Sequence, residues 1–316
     1  MSLDSSPLSR DNPAMNAMAD HPLELRLEGW LTRHLPAGLG ACTIFVMRQL
    51  WAALFALIIL GAILITRAIW NPDWPMARYD ALVIIAVATQ ILLLVFKLET
   101  FEEAKVILLF HLTGTVMEWF KVSAGSWGYP EPGVLKLFAV PLFTGFMYAS
   151  LGSYIARMIR LFDAVIAPYP PFWAGTLLAI AIYVNFFAHH YLPDIRLLLF
   201  AASLGLFLRT RLWFRMGDRW LWMPFPCAAL GIAFALWIAE NIGTFTGTWA
   251  YRGQGHFELV SLSKMGSWYL LFFVSFTTVT LVMRSALRAK PFRPGPVRSG
   301  HASGQRQSAA PETPAR

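Results

Sequence analysis

Two stretches of the chain, EWFKVSAGSWGY at residues 118–129 and ENIGTFTGTWAY at residues 240–251, share one pattern. Each begins with Glu and continues, after six residues, with Gly, then Ser or Thr, then Trp, any residue and Tyr. Trp and Tyr are rare residues, so their recurrence at a fixed spacing indicates a duplication. Each stretch follows an apolar segment of helical length. The pattern therefore predicts a duplicated membrane unit whose two turns form the working surface.

The composition is typical of an integral membrane protein. The 316 residues are 57% hydrophobic and only 14% charged, and the mean hydropathy is +0.52. The apolar runs have the length that is needed to cross roughly 30 Å of hydrocarbon. The net charge of +8 lies in loops and tails, so it indicates topology rather than binding to nucleic acid. Cys42 and Cys227 lie in separate segments without CxxC spacing, which predicts neither a disulfide framework nor a zinc site.

The apolar runs predict an all-α integral membrane protein with about eight transmembrane helices in two parallel four-helix repeats. The predicted spans are 45–70, 80–98, 104–121, 137–160, 172–190, 195–213, 224–243 and 265–284. Membrane repeat one covers residues 45–160 and membrane repeat two covers residues 172–285. The sixth span has a short apolar core, Leu197 to Leu208, so a full crossing requires Arg196 and Arg209 to extend to the headgroups.

The basic residues predict the orientation of the chain. Lys and Arg are concentrated in the tails and between Arg209 and Arg219, which predicts cytoplasmic N- and C-termini. Residues 1–44 are too long and too acidic for the charged start of a signal peptide, and we predict that they form a cytoplasmic arm. Residues 291–316 are rich in Pro, Ser, Gly and Arg, which predicts a disordered cytoplasmic tail.

Polar residues within the spans mark the candidate site, because an ionisable group there costs about 2.5–3.5 kcal/mol on insertion scales and normally faces a partner or a cavity. The predicted acid–base residues are Glu118, Glu240, His111 and His189. The predicted substrate-binding residues are Trp127, Tyr129, Trp249, Tyr251, Asn185, Asn241 and Asp194. Spans three, five and seven run outward in this topology, so both glutamates and both turns are predicted to meet near the outer surface. A buried Glu can serve as a general acid, and a neighbouring His can carry its proton.

Structural interpretations of the same residues remain open. Glu118 and Glu240 lie near the ends of their spans, where a carboxylate can cap a turn or pair with Lys121 or Arg252. The Trp and Tyr residues of the turns can anchor the chain at the headgroups. His111 can bond to a neighbouring helix, and His190 can cap an exposed loop. The stripe of Gly145, Ala149, Gly152 and Ala156 indicates close helix packing rather than a ligand site.

Several enzyme classes are excluded by missing motifs. The chain has no Walker loop, no GxSxG elbow, no HExxH and no Rossmann fingerprint. Its seven His residues are too few for the several histidine boxes of a membrane di-iron oxidase, and three of them lie in the terminal arms. The sequence therefore predicts neither a cofactor nor a metal.

Four segments resemble a bacterial family of multi-pass membrane proteins, domain of unknown function 817. They are RYDALVIIAVATQILLLVFKLETFEEAKVILLFHLTGTVMEWFKVSAGSWGYPEP at 78–132, GFMYASLGSYIAR at 145–157, YVNFFAHHYLPDIR at 183–196 and AENIGTFTGTWAY at 239–251. The resemblance covers about residues 45–285. It implies a multi-pass protein of the bacterial inner membrane and supplies no activity.

A more distant resemblance links the segment that contains GSWGYPEPG and VPLF to the carotenoid lycopene cyclase domain and its membrane hydratase relatives. Those proteins have an acid, a similar turn and a Pro-Leu-Glu-Glu sequence. Their acid falls on Glu118, their turn on Gly125, Trp127 and Tyr129, and their Pro-Leu on Pro141 and Leu142. Their paired glutamates fall on Phe143 and Thr144, so the proton donors that the cyclases use are absent here.

Three functions are compatible with these residues. The first is a cofactor-independent acid–base enzyme or a binding protein for an isoprenoid or carotenoid-like lipid, with Glu118 and Glu240 as acid or base. The second is a proton-coupled transporter of a small or lipophilic solute, which predicts a polar path through the membrane. The third is a structural assembly protein, whose glutamates would tolerate substitution. The predicted partners are membrane lipids or a hydrophobic small molecule, and the oligomeric state stays open.

Overall fold

The computed structural model describes residues 36–216, 219–253, 255 and 258–294, together with Trp30 and His34. Most of the predicted N-terminal arm and residues 295–316 of the predicted tail lie outside this part of the chain. The α-helices of the described part are α1 Ala37–Ala52, α2 Leu54–Ile69, α3 Arg78–Val95, α4 Phe101–Ser123, α5 Phe143–Leu161, α6 Phe172–Ala188, α7 Arg196–Phe207, α8 Phe225–Phe245 and α9 Leu262–Val282. A 3₁₀ turn, Arg284–Ala286, follows α9.

Short strands connect the helices. They are β1 Trp127–Gly128, β2 Lys136–Leu137, β3 Val140–Pro141, β4 Val165–Ala167, β5 Arg211–Met216, β6 Arg219–Pro224 and β7 Ala250–Tyr251. All pair antiparallel: β1 with β7, β2 with β3, and β4 with β5, which also pairs with β6.

The fold has the character of a helical membrane protein. Within the described ranges, four helices (α3, α4, α8 and α9) are long and apolar enough to cross a membrane, and the count is five if the bent pair α1–α2 forms one span. The helices α6 and α7 are apolar but shorter. This count is smaller than the eight spans predicted from the sequence.

The first predicted span is broken. Helices α1 and α2 meet at Ala53 with a bend of 71°, and α1 begins at Ala37, inside the arm predicted for residues 1–44. The buried Arg157 of α5 donates from Nη2 to the carbonyl of Trp51 across 2.8 Å. A side chain that bonds to backbone carbonyls at a helix end replaces the intrahelical partners that are missing there, so the break is stabilised from α5.

Two further predicted spans are shorter than expected. The sixth span, 195–213, is helical only over α7, because β5 leaves the helix axis to pair with β4 and β6. The Thr210 hydroxyl stabilises this change of chain direction by donating a hydrogen bond to the carbonyl of Pro168 across 2.9 Å. The fourth span, 137–160, begins as the β2–β3 hairpin, and its helix starts at Phe143.

Helices α4 and α5 pack closely through small residues. A methyl group added at Gly152 would lie 2.7 Å from the ring of Phe110, and one added at Gly114 would lie 2.8 Å from Tyr148 Cβ. Gly145 faces His111 and Thr115 in the same way. The small-residue stripe of α5 is therefore a helix-packing surface, as predicted.

At the end of this pair far from the two turns, charged groups are buried together. Thr100 and Glu103 form a capping box at the start of α4, and Arg160 of α5 pairs with Glu103 at 2.9 Å. Glu99 accepts hydrogen bonds from Ser153 and Gln90, each at 2.7 Å, and lies 3.8 Å from Arg157. These contacts fix the register of α4 against α5 and thereby the position of Glu118.

Candidate functional site

The two repeated stretches form the same local structure. Helices α4 and α8 each end in a turn whose Gly has positive φ, +69° at Gly125 and +66° at Gly247. In each turn, the glycine N–H bonds to the carbonyl three residues earlier, and the next N–H bonds to the carbonyl five residues earlier. This is the Schellman arrangement, which favours Gly at the left-handed position. It reverses the chain, so that the Trp and Tyr that follow return alongside the helix toward its Glu.

The two turns lie against each other. Strands β1 and β7 pair antiparallel, with Trp127 opposite Tyr251 and Gly128 opposite Ala250. The rings of Trp127 and Tyr251 meet edge to face, with centroids 5.8 Å apart. The structure thus brings together the two turns that the sequence analysis predicted to meet.

In the first copy, the carboxylate of Glu118 accepts three hydrogen bonds. The Trp127 indole donates at 2.8 Å, the Tyr129 hydroxyl at 2.6 Å and the Tyr148 hydroxyl of α5 at 2.7 Å. Glu118 is 2% exposed. No Lys or Arg of the described part lies within 4.0 Å of it, so neutral donors rather than a salt bridge hold this carboxyl group.

The second copy is less completely bonded. The Tyr251 hydroxyl donates to Glu240 at 2.7 Å. The Trp249 indole nitrogen lies near the same carboxyl group, but its geometry makes no hydrogen bond, and its ring packs on Gly243. The two copies therefore share their backbone and differ in their side-chain contacts.

A buried arginine joins the two copies. Arg78, at the start of α3, forms a two-bonded ion pair with Glu131 at 2.7 and 2.8 Å and donates to the Thr248 hydroxyl at 3.2 Å. The Tyr79 hydroxyl donates to the Thr248 carbonyl at 2.7 Å. Since Glu131 follows the first turn and Thr248 belongs to the second, α3 fixes one turn relative to the other.

The two phenols of the motif, Tyr129 and Tyr251, keep their protons. Burial, followed by the charge of Glu118, raises the pKa of the Tyr129 phenol well above its usual range. Burial and the charge of Glu240 raise the pKa of the Tyr251 phenol in the same way. Both phenols are therefore hydrogen-bond donors at neutral pH. Burial and the nearby Lys121 lower the pKa of His190, which favours its neutral form.

A cavity of about 1000 Å³ opens from the two turns into the bundle. Its polar end contains Glu118, Glu240, Lys121, Lys264, Arg196, Trp127, Tyr129, Trp249, Tyr251, Asn185, His189 and His190. Away from these residues its walls are mainly apolar and include Leu57, Leu60, Gly231, Ile232, Ala235 and Leu236. It continues to Phe162 beyond the end of α5, and the 14 helical steps from Tyr148 to Phe162 span about 21 Å.

Not every predicted site residue reaches this cavity. His189 and Asn185 line it, while Asp194 lies beside it and accepts a hydrogen bond from Asn185 at 3.0 Å. His111 packs on Phe146 and is not part of the wall, and its buried Nδ1 makes no hydrogen bond to any described residue. Asn241 has a structural contact instead, because its side chain bonds to the N–H of Val260 and the carbonyl of Trp237.

Sequence reasoning missed several residues of the site. Tyr148, Arg78, Glu131 and Lys264 contact the motif residues from other parts of the chain. The only sign of them in the sequence is that some, such as Arg78 in the RYD sequence at 78–80, are polar residues next to a predicted span. No spacing rule connects them with the motif.

Residues 41–276 match the family described as Protein of unknown function (DUF817). The chain belongs to this family. It is 43% identical over 236 residues to Uncharacterized protein YoaT of Bacillus subtilis, a match that covers 74% of this chain and 89% of that protein. The predicted membership is therefore confirmed.

Among solved structures, the chain is similar to a mycobacterial Insig homolog from Mycobacterium vanbaalenii. The TM-score is 0.43 at 16% identity, over 58% of this chain and 95% of the other. A cross-linked trimer of that homolog matches with the same values. At this score the likeness carries no functional information. These comparisons do not show the resemblance to the lycopene cyclase domain, and the two positions of its paired glutamates hold the fully buried Phe143 and Thr144.

Proposed function

We propose that this protein binds an isoprenoid-like lipid in the central cavity and that Glu118 and Glu240 transfer protons to and from it. The observation that carries the proposal is the cavity itself. It has mainly apolar walls over about 21 Å of helix length, and both glutamates lie at one end. Such a shape fits a long apolar molecule whose reactive end lies at the two turns.

The contacts of the glutamates support proton transfer without a cofactor. A protonated Glu would donate its proton to a double bond of the lipid, and the other Glu, as a carboxylate, would remove a proton from the resulting cation. The three donors on Glu118 stabilise the negative charge that remains after it donates. The rings of Trp127, Tyr129 and Tyr251 at the cavity wall favour a positive charge on the substrate.

The proposed topology places this chemistry at the outer leaflet of the bacterial inner membrane. With the bent pair α1–α2 as one crossing and α3 to α9 as one crossing each, the chain crosses eight times, as two parallel halves with both termini in the cytoplasm. The shortest crossing, α7, would rely on Arg196 and Arg209 reaching the headgroups.

The alternative as a proton-coupled transporter has less support. A transporter of polar solutes needs a polar path, and the middle of this cavity is lined by residues such as Leu60, Ile232 and Ala235. A structural assembly role is distinguished by tolerance of substitutions at the two glutamates.

The test compares the lipids of cells that carry single Glu-to-Gln substitutions. We expect Glu118→Gln and Glu240→Gln cells to accumulate the same lipid as cells that lack the gene, because glutamine cannot exchange a proton with a substrate. Untargeted lipid mass spectrometry measures this at equal membrane abundance of each variant. The control is Glu102→Gln, since Glu102 is exposed on the same helix as Glu118. A lipid profile that changes on deletion but not in the two variants would contradict the proposal.

A further inference from the structure

The polar end of the cavity contains positively charged side chains that have no role in the proposed proton transfer. Lys121, Lys264 and Arg196 line this end, with His190 beside them. The three cations lie close enough to act on one another electrostatically. Asp194 pairs with Arg196, and the proposed chemistry keeps one of the two glutamates ionised, so these carboxylates offset two of the three cations. The remaining positive charge near a membrane interior is unfavourable unless a further anion offsets it.

Lys121 lacks a carboxylate partner although it is only 2% exposed. Its ammonium bonds to His190 Nε2 at 3.1 Å and lies 4.0 Å from the centre of the Phe186 ring. No carboxylate of the described ranges lies within 4.0 Å of it. An ammonium has three N–H donors, so the bond to His190 leaves two for a ligand.

Lys264, on α9, has a similar environment. Its ammonium lies 4.0 Å from the centre of the Tyr251 ring and 5.7 Å from that of Trp127. Glu240 acts on it electrostatically from beyond 4.0 Å. Among the described residues the Lys264 ammonium has neither a hydrogen-bond partner nor an ion-pair partner. Arg196 differs, because it pairs with Asp194 at 3.1 Å.

We infer that Lys121 and Lys264, assisted by Arg196, bind the phosphate headgroup of the lipid in the cavity. This inference rests on the proposed function and names the substrate class as a prenyl phosphate. A phosphate accepts several charge-assisted hydrogen bonds at once, which two ammonium groups on neighbouring helices and a guanidinium can supply. The prenyl chain would then occupy the apolar part of the cavity, and its first double bond would lie near the two glutamates.

The test measures binding to the full chain in nanodiscs of phosphatidylcholine, with radiolabelled geranylgeranyl phosphate and radiolabelled geranylgeraniol as separate probes. Unlabelled geranylgeraniol, palmitate and inorganic phosphate are the competitors. We expect geranylgeranyl phosphate to bind at least tenfold more tightly than geranylgeraniol. Lys121→Gln and Lys264→Gln should each weaken the binding of geranylgeranyl phosphate about tenfold, the usual effect of losing one charge-assisted hydrogen bond. Binding of geranylgeraniol should not change, which shows that the cavity is intact.

Two variants serve as controls. Lys105→Gln removes an exposed lysine at the other end of α4 and should leave binding unchanged. Lys264→Arg should retain the preference for the phosphate. Three results would each overturn the headgroup assignment while leaving lipid binding in place. They are equal affinity for geranylgeranyl phosphate and geranylgeraniol, equally tight binding of palmitate, and unchanged binding of geranylgeranyl phosphate in both glutamine variants. If neither geranylgeranyl compound binds the wild-type chain, the proposed function fails as well.

Discussion

The Gly243→Ala variant should be strongly destabilised. A Cβ at Gly243 would overlap the ring of Trp249, which is buried in the second turn. The ring packs in the same apolar cluster as Phe55, Tyr79 and Phe143, so it cannot move away from Gly243 without losing these contacts. Overpacking in a filled core costs about 1–3 kcal/mol, and an overlap with a rigid ring lies at the upper end of this range. We expect a loss of about 3 kcal/mol, measured by thermal unfolding in detergent.

The matched control is Gly231→Ala on the same helix. A Cβ at Gly231 would have no neighbour within 4 Å. The substitution should leave stability unchanged or raise it by up to about 1 kcal/mol, because alanine favours the helix more than glycine does. Equal unfolding temperatures for the two variants would show that Trp249 does not pack on Gly243.

The second large effect is a difference between the two glutamates. We expect Glu118→Ala to destabilise the protein by at least about 3 kcal/mol and Glu240→Ala by about 1 kcal/mol. Three donors lose their acceptor at Glu118 and one loses it at Glu240, and a buried unsatisfied donor costs about 1–3 kcal/mol. The side-chain atoms removed are the same in both variants, so thermal unfolding of the pair compares the hydrogen bonds directly.

A third variant separates this effect from general damage near Glu118. Tyr148→Phe removes one of the three donors and keeps the ring, so its loss should be much smaller than that of Glu118→Ala. An equal loss of unfolding free energy in Glu118→Ala and Glu240→Ala would show that the two glutamates do not differ in their number of hydrogen bonds.

The sequence predicted the class of the protein and the local structure of the motif well. Long apolar runs report membrane helices, and the positive φ of Gly125 and Gly247 explains why both turns require Gly. The meeting of the two turns followed from counting spans, and the β1–β7 pairing shows it.

Other features depend on contacts that no local pattern encodes. Hydropathy measures the length of an apolar run but not its straightness, so the break at Ala53, bonded by Arg157 from α5, was not foreseen. Apolar strands resemble apolar helix ends, which is why the predicted sixth span, 195–213, includes the first three residues of β5. Tyr148 and Lys264 reach the motif through helix packing, and their distance along the chain hides them.

The most direct measurement of the central claim, that both turns form one site, is a disulfide between Gly128→Cys and Ala250→Cys. The two residues are directly opposite in the β1–β7 pair, where Cα atoms lie about 4.5–5.5 Å apart, within the range of a disulfide. The exposed Cys42 and Cys227 are first replaced by serine. After mild oxidation in membranes and cleavage at a protease site inserted between the two positions, the fragments should stay joined until they are reduced. The control pair is Lys105→Cys with Ala250→Cys, which also lies on either side of the protease site; it should not cross-link, because Lys105 is near the start of α4 and Ala250 is beside the turn that follows its other end. Fragments that separate without reductant would show that the turns do not meet and that the shared cavity does not exist.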